Sequence, residues 1–421
     1  DELRGANSEQ QSALASVSAE RDRAEAVIDQ LDELTDVLLE YERASRRLVG
    51  SISSRRVLAA NARDTLLELR RVSGDTPWVR SKLAHAFTRL GTISWLDAAS
   101  SDQAIADFQT AIELHRQELA ERPGDRAHAD GLCLSLASLA SLTVMQGATQ
   151  PAMAMVLEAE GILNAMDEPD ALTTARVGRA KAGVLREQGR DEEAIEELSQ
   201  AAQLLEGDAS LDGQDFRALV LADQAEVLSR NRSFDRAAEV IESALAIRRA
   251  LITQHPTDAV VKRRMISLLN VAAENRERQG DAPGGLALHQ ELFQLASELA
   301  ELDADDDLAR ASTRKSLHSL ARAFERNGQL DEAIRSASAF LEASRAAAER
   351  SPTDLALLHD VAHAYELRGD MTRRHSAPDE SNAEASERLE SAINDFVEAR
   401  GTLKWMRSMA PGRAEWHRDE A

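Results

Sequence analysis

The stretch that decides the fold is residues 175–201, ARVGRAKAGVLREQGRDEEAIEELSQA. Within it Ala182 precedes Gly189 by seven residues, and beyond the glycine come Ala194, Leu198 and Ala201 at spacings of four and three. That spacing lines up a small, a large and a small side chain on one helical face. Gly189 can adopt the left-handed conformation that ends a helix. The stretch therefore predicts helix, turn, helix. The alanines let the two axes approach closely, and Leu198 fills the gap between them.

The same signature recurs in both directions. Gly91, Gly147, Gly189, Gly280, Gly328 and Gly369 close amphipathic segments, and Arg232 stands at the equivalent point of a seventh. Seven residues before each lie Ala84, Ala140, Ala182, Ala225, Ala273, Ala321 and Ala362, although 73 alanines in 421 residues would put Ala at only about one position in six. After each turn come Ala104, Ala152, Ala194, Ala237, Ala333 and Ala392, with Gly285 in the fifth unit. Phe108, Val156, Leu198, Ile241, Ala337 and Phe396 follow four residues later, with His289 in the fifth unit. The stripes end at Ala111, Ala159, Ala201, Ala244, Leu292, Phe340 and Ala399. Prolines before Asp125, Asp258 and Asp354 stop one unit and offer an aspartate to cap the next helix. The fifth unit, with Arg276, Gly285 and His289 at positions that normally pack, is expected to be loosely packed. Thr92 to Asp102 and Asp370 to Ser391 enlarge the first and last turns.

Composition agrees with a layered helical array. Aromatic residues make up only 3% of the chain, too few to fill the deep interior of one large helical core. With 73 Asp and Glu against 50 Lys and Arg, the formal charge of −23 argues against nucleic acid and against anionic membrane surfaces. The one cysteine, Cys133, excludes a disulfide framework, and it is expected to be a buried structural thiol. The uncharged run from Gly131 to Leu157 is long enough to raise a membrane span, but Gln146, Gly147, Gln150 and Pro151 fit two short helices better. We expect no direct membrane span. The chain starts at Asp1 without an initiator Met or a signal-type apolar stretch, as expected of a segment of a longer protein.

From roughly Pro77 to Pro411 these residues resemble the tetratricopeptide repeat family. The resemblance implies an all-α, right-handed α-solenoid of about seven helix-turn-helix units, with unit spacings of 41 to 56 residues in place of that family's shorter repeat. The expected organisation is an amphipathic heptad helix over 1–50, a helical lead-in over 51–76 and the solenoid over 77–421. A narrower resemblance is carried by Leu48-Val49-Gly50-Ser51, Arg55 to Arg71, Gly74-Asp75 and Leu83-Ala84-His85-Ala86-Phe87. This run is similar to the opening of the C-terminal repeat region of bacterial membrane Ser/Thr protein kinases. It implies a sensory or scaffolding part of a signalling protein, extracytoplasmic if the resemblance holds and cytoplasmic otherwise. No kinase residue is present, so the chain itself is expected to be non-enzymatic and to need no cofactor.

The functional expectation is a scaffold that binds a protein or peptide through the first helices, which line the concave groove in the resembled family. Lys315, His318, Arg322 and Arg326 form a basic stripe in the sixth unit, and Arg176, Arg179 and Arg186 form another in the third. Cations so placed suit a peptide carboxylate. Met145, Met153 and Met155 lie in the uncharged run and could form an adaptable apolar face, unless the insertion around Trp95 folds over it. Two alternatives are kept. Val17, Ala24, Leu31 and Leu38, with Val27, Leu34, Tyr41 and Leu48, give a heptad seam over 17–48 that could form a homodimeric coiled coil. His359 and His363, four apart on one helical face, have the spacing of a metal pair, but Asp360 replaces the glutamate of the metalloprotease arrangement and no third ligand is evident.

Overall fold

The computed structural model describes residues 77–96, 101–302, 306–375 and 380–409, with isolated positions between 57 and 71. The heptad segment 17–48 lies outside the described residues. Fourteen helices occur among those described, in seven consecutive pairs. They are α1 (Pro77–Leu96) and α2 (Ser101–Glu121), α3 (Arg126–Met145) and α4 (Thr149–Asn164), α5 (Ala171–Glu187) and α6 (Asp191–Leu204), and α7 (Leu211–Arg230) and α8 (Phe234–Gln254). Then follow α9 (Ala259–Arg278) and α10 (Ala282–Leu302), α11 (Asp307–Arg326) and α12 (Leu330–Arg350), and α13 (Leu355–Arg374) and α14 (Asn382–Met409). The chain forms two compact units: residues 1–233 with 246–261, and residues 234–245 with 262–421.

In the first unit each helix from α1 to α7 packs on its sequence neighbour. First helices also touch first helices: α1 meets α3, α3 meets α5 and α5 meets α7. The second helices of neighbouring hairpins make no comparable contact among the described residues. The first-helix side is thus the compressed side of this unit, as in a solenoid whose concave face the first helices line. In the second unit α10 to α14 pack in sequence order, and first helices are tied through side chains. Arg263 on α9 pairs with Asp306 before α11, and Arg314 on α11 with Asp360 on α13.

The alanine signature is the core of this packing. All seven alanines that precede the turns, Ala84 through Ala362, are buried, and so are the small residues that flank the stripe on the second helices. The aspartates expected as caps do cap: Asp125 accepts from His128 N, Asp258 from Val260 N and Val261 N, and Asp354 from Ala356 N.

Two turn glycines work differently from the expectation. Gly147, Gly189, Gly280 and Gly328 have positive φ, and Arg232 shares that conformation at φ 59°. Gly91 and Gly369 instead sit inside α1 and α13, which run on past them to Leu96 and Arg374, into the first residues of the two insertions. A Cβ at Gly91 would lie 2.7 Å from the Phe108 ring, and one at Gly369 would lie 3.1 Å from Asp395 Cβ. At Gly91 the Phe108 ring stands where a side chain would begin, and at Gly369 α14 would have to give by a few tenths of an ångström to admit one.

The fifth unit is also packed, not loose. Gly285 and His289 are buried on α10, with His289 3% exposed, while Arg276 turns outward to pair with Glu242. Among the described residues α3 is long and apolar enough to cross a membrane, yet most of it is buried inside the first unit, where its apolar residues form a core with α4 and α5. Cys133 lies in that core with its thiol pushed up to about 12, chiefly by burial.

Two substitutions test the packing rule. Ala140→Leu places extra volume at a closed crossing and should lower unfolding stability by about 1–3 kcal/mol. Ala154→Leu, on the exposed face of α4, should change it by less than about 0.5 kcal/mol. Urea midpoints of the two variants compare them directly. Arg232→Gly removes left-handed strain and should raise the midpoint, by about 0.5–1 kcal/mol in stability.

Candidate functional site

The basic stripe of the sixth unit opens onto a cleft of about 400 Å³ in the second unit. On α11, His318, Arg322 and Arg326 line it at intervals of four, and Ser319 joins them. Across from them α9 presents Asn270, Glu274, Glu277 and Arg278, again on one helical face, and α10 contributes His289. Lys315 is exposed and does not line the cleft.

The cleft is lined by charges that already have partners. Arg326 Nη1 lies 2.5 Å from Glu277 Oε2, Arg322 Nη1 lies 3.1 Å from Glu325 Oε2, and Arg278 Nη2 lies 3.5 Å from Glu274 Oε2. Asn270 donates to Glu274 at 2.8 Å and keeps its carbonyl for an incoming group. Burial alone would raise the Glu277 carboxyl, but His289 and Arg326 outweigh it and hold the group below the usual carboxylate range. His289 Nε2 stands 3.4 Å from Glu277 Oε1, too far for a well-formed hydrogen bond. That oxygen and His289 Nδ1 are buried without hydrogen-bond partners.

His318 has a different character from that expected of a basic stripe. Its Nε2 lies 3.0 Å from His363 Nε2, and burial, then the charge of a protonated His363, lower its pKa to about 4. At neutral pH it offers a neutral ring, and the positive charge of the stripe rests on the two arginines. The other expected histidine, His359, stacks on His363 with centroids 6.4 Å apart and planes inclined by 18°. His363 Nε2 is taken up by His318. No group of three or more His, Cys, Asp or Glu with metal-binding geometry occurs among the described residues.

The third-unit stripe and the methionine run meet in a smaller cleft of about 160 Å³ in the first unit. Arg179 and Arg186 on α5, Met145 at the end of α3, Trp95 on α1 and Asp223 on α7 line it. Arg179 Nε is 2.5 Å from Asp223 Oδ2. Arg176 is not part of this cleft, and its guanidinium sits 5.2 Å from the Phe216 ring centroid. The methionines divide. Met153 and Met155, like Trp95, are half-buried against the core formed by α3 and α4, whereas Met145 is 77% exposed.

One cluster has no counterpart in the sequence reading. His85, His115 and His128, from α1, α2 and α3, bring three imidazoles together with ring centroids 4.8 to 5.1 Å apart. His115 Nδ1 is 2.9 Å from His128 Nδ1, and Thr88 and Ser81 bind the far nitrogens of those two rings. Gly131 makes the room, since a Cβ there would lie 2.4 Å from His115 Cε1. The lone clue in the sequence was a glycine in mid-helix.

All three rings are held below the usual histidine range, first by burial, and His115 falls to about 3. Neighbouring His⁺ charge adds to the lowering at His85 and His115, as do Lys82 and Arg89 at His85 and Arg122 at His128, while Asp125 and Glu118 oppose it. A ring neutral in the fold but ordinary in the unfolded chain contributes fully above about pH 6.5 and loses that contribution as pH falls toward the folded value. Urea midpoints should therefore begin to drop below about pH 6.5, before carboxylates protonate. His115→Gln should flatten the pH 6.5 to 5 portion of the curve.

No family model matches the sequence, and no curated protein matches it. Solved structures do resemble the fold. The apo form of RapI aligns with a TM-score of 0.53 at 10% identity, covering 92% of this chain and 98% of that one. BtubC from P. vanneervenii gives 0.48 at 16% identity, over 67% of this chain and 96% of its own. The TPR-like repeats of a putative kinesin light chain from Podosopora anserina give 0.37 at 22% identity, over 56% and 99%. At these identities the likeness to RapI speaks for the α-solenoid fold alone.

Proposed function

We propose that this chain is a protein- or peptide-binding scaffold that acts without bond chemistry, and that its second unit takes an acidic segment or a terminal carboxylate. The observation that carries this reading is the cleft between α9 and α11, where Arg322 and Arg326 face Asn270 and Ser319. Guanidinium groups recognise carboxylates in a fork geometry, and an amide and a hydroxyl can satisfy a peptide bond. The arginines are already paired with Glu277 and Glu325. A ligand carboxylate would therefore exchange with an internal one, which favours selective, salt-sensitive binding of moderate strength.

The cleft of the first unit supports a second contact of the same kind. Exposed Met145 beside Trp95 would receive an apolar side chain next to Arg179 and Arg186. The similarity of residues 48–87 to the repeat region of membrane Ser/Thr kinases supports a place in a bacterial signalling protein, with the side of the membrane following from that parent.

Fluorescence anisotropy with a panel of labelled acidic peptides tests the main reading. Arg322→Ala with Arg326→Ala should weaken binding at least tenfold and reduce its salt dependence, whereas Lys315→Ala should leave it within about twofold. Equal affinity for the double variant and the parent chain would overturn the assignment.

A further inference from the structure

We propose that α14 is the surface through which two copies of this chain pair, antiparallel. In the inner hairpins the large residue of the second-helix stripe is closed over, as at Phe108, Val156 and Leu198. On α14 the equivalent Phe396 is 37% exposed, and Leu389, Ile393 and Val397 are exposed with it. Leu389, Ile393 and Phe396 follow one another at spacings of four and three, the seam of a helix that packs on another helix.

This face does not belong to a fraying end. Arg368 on α13 holds Asp395 through two hydrogen bonds of 2.9 and 2.5 Å. Arg388 binds Glu380 at 2.6 Å and the Arg373 carbonyl at 2.7 Å. Ala392, Ala399, Leu403 and Met406 are buried. The helix is thus fixed on one side while its seam stays open.

Charge selects the occupant. Of the charges that flank the seam, Glu390 lies in the first half of α14, and Arg400 and Lys404 in the second. Glu384, Glu387 and Glu398 fall about a third to half a turn away from the seam's centre, and Asp395 is taken up by Arg368. A second α14 laid antiparallel, with Ile393 of each copy beside Phe396 of the other, brings Glu390 of one against Arg400 of the other at both ends. A parallel pair would set glutamate on glutamate and arginine on arginine. Two-fold pairing makes each favourable contact occur twice. The helix has 28 residues, about 42 Å at the usual rise, enough for both ends to meet.

Sedimentation equilibrium of the full chain tests this pairing. The parent chain should be dimeric at micromolar concentration. Ile393→Glu with Val397→Glu should raise the dissociation constant at least tenfold while the helical melt stays unchanged. Glu390→Lys and Arg400→Glu should each weaken the dimer, and their combination should restore it. Insensitivity to the single charge changes would overturn the antiparallel arrangement. Leu31→Glu with Leu38→Glu, in the heptad segment, should leave the dimer intact; a dimer lost there and kept in the Ile393/Val397 variant would assign pairing to residues 17–48. A monomeric parent chain would overturn the proposal.

Discussion

An alanine at each helix crossing fixes how near two helices can come, and the rest of the structure follows from that distance. Close helices need no aromatic filling, so a chain with 3% aromatic residues can still bury its crossings. The same closeness makes volume costly. Where the second helix carries Phe108, even a Cβ on the facing helix would run into the ring, and Gly91 stands there; Gly369 faces α14 at a tight approach of its own. At Gly131 the intruding side chain is a histidine, and the space it fills becomes polar.

Polar burial is the second theme. Arg248, 1% exposed, pairs with Asp215 within the first unit and also donates to its backbone carbonyl at 2.7 Å. Arg80 binds the buried Glu118 at 2.9 Å. A buried pair adds little net stability, but removing one partner strands the other, so such pairs specify which helices meet. In the second unit a half-exposed pair reaches the cleft, where Glu277 and Arg326 join neighbouring first helices. On the proposed reading, that internal salt bridge occupies the position a ligand carboxylate would take, and packing and recognition would share the same side chains.

Much of this was legible in the sequence because helical period is local. The alanines, the stripe, the aspartate caps and the four-residue spacing of His318, Arg322 and Arg326 are all read within one or two turns. What was not legible depends on distant partners. Gly91 and Gly369 look like turn glycines until the opposing aromatic is known, although the two units concerned are the ones with Phe as the central residue of the stripe. Glu277 joined the cleft through an arginine 49 residues away. His85, His115 and His128 come from three helices, and no spacing links them. His289 was read as a packing fault because an imidazole at a core position looks misplaced until its glutamate is seen. Lys315 and Arg176 fit their stripes by spacing alone, yet one is exposed outside the cleft and the other lies over Phe216.

On the proposed reading, ligands meet the first-helix side of the second unit. A photo-crosslinking residue placed at Ser319, which lines the cleft on α11, and separately at Arg335, exposed on α12, tests it most directly. With an acidic peptide bound, the account predicts crosslinking from position 319 that free peptide carboxylate competes away, and none from 335. Equal crosslinking from both positions, or crosslinking from 335 alone, would contradict it.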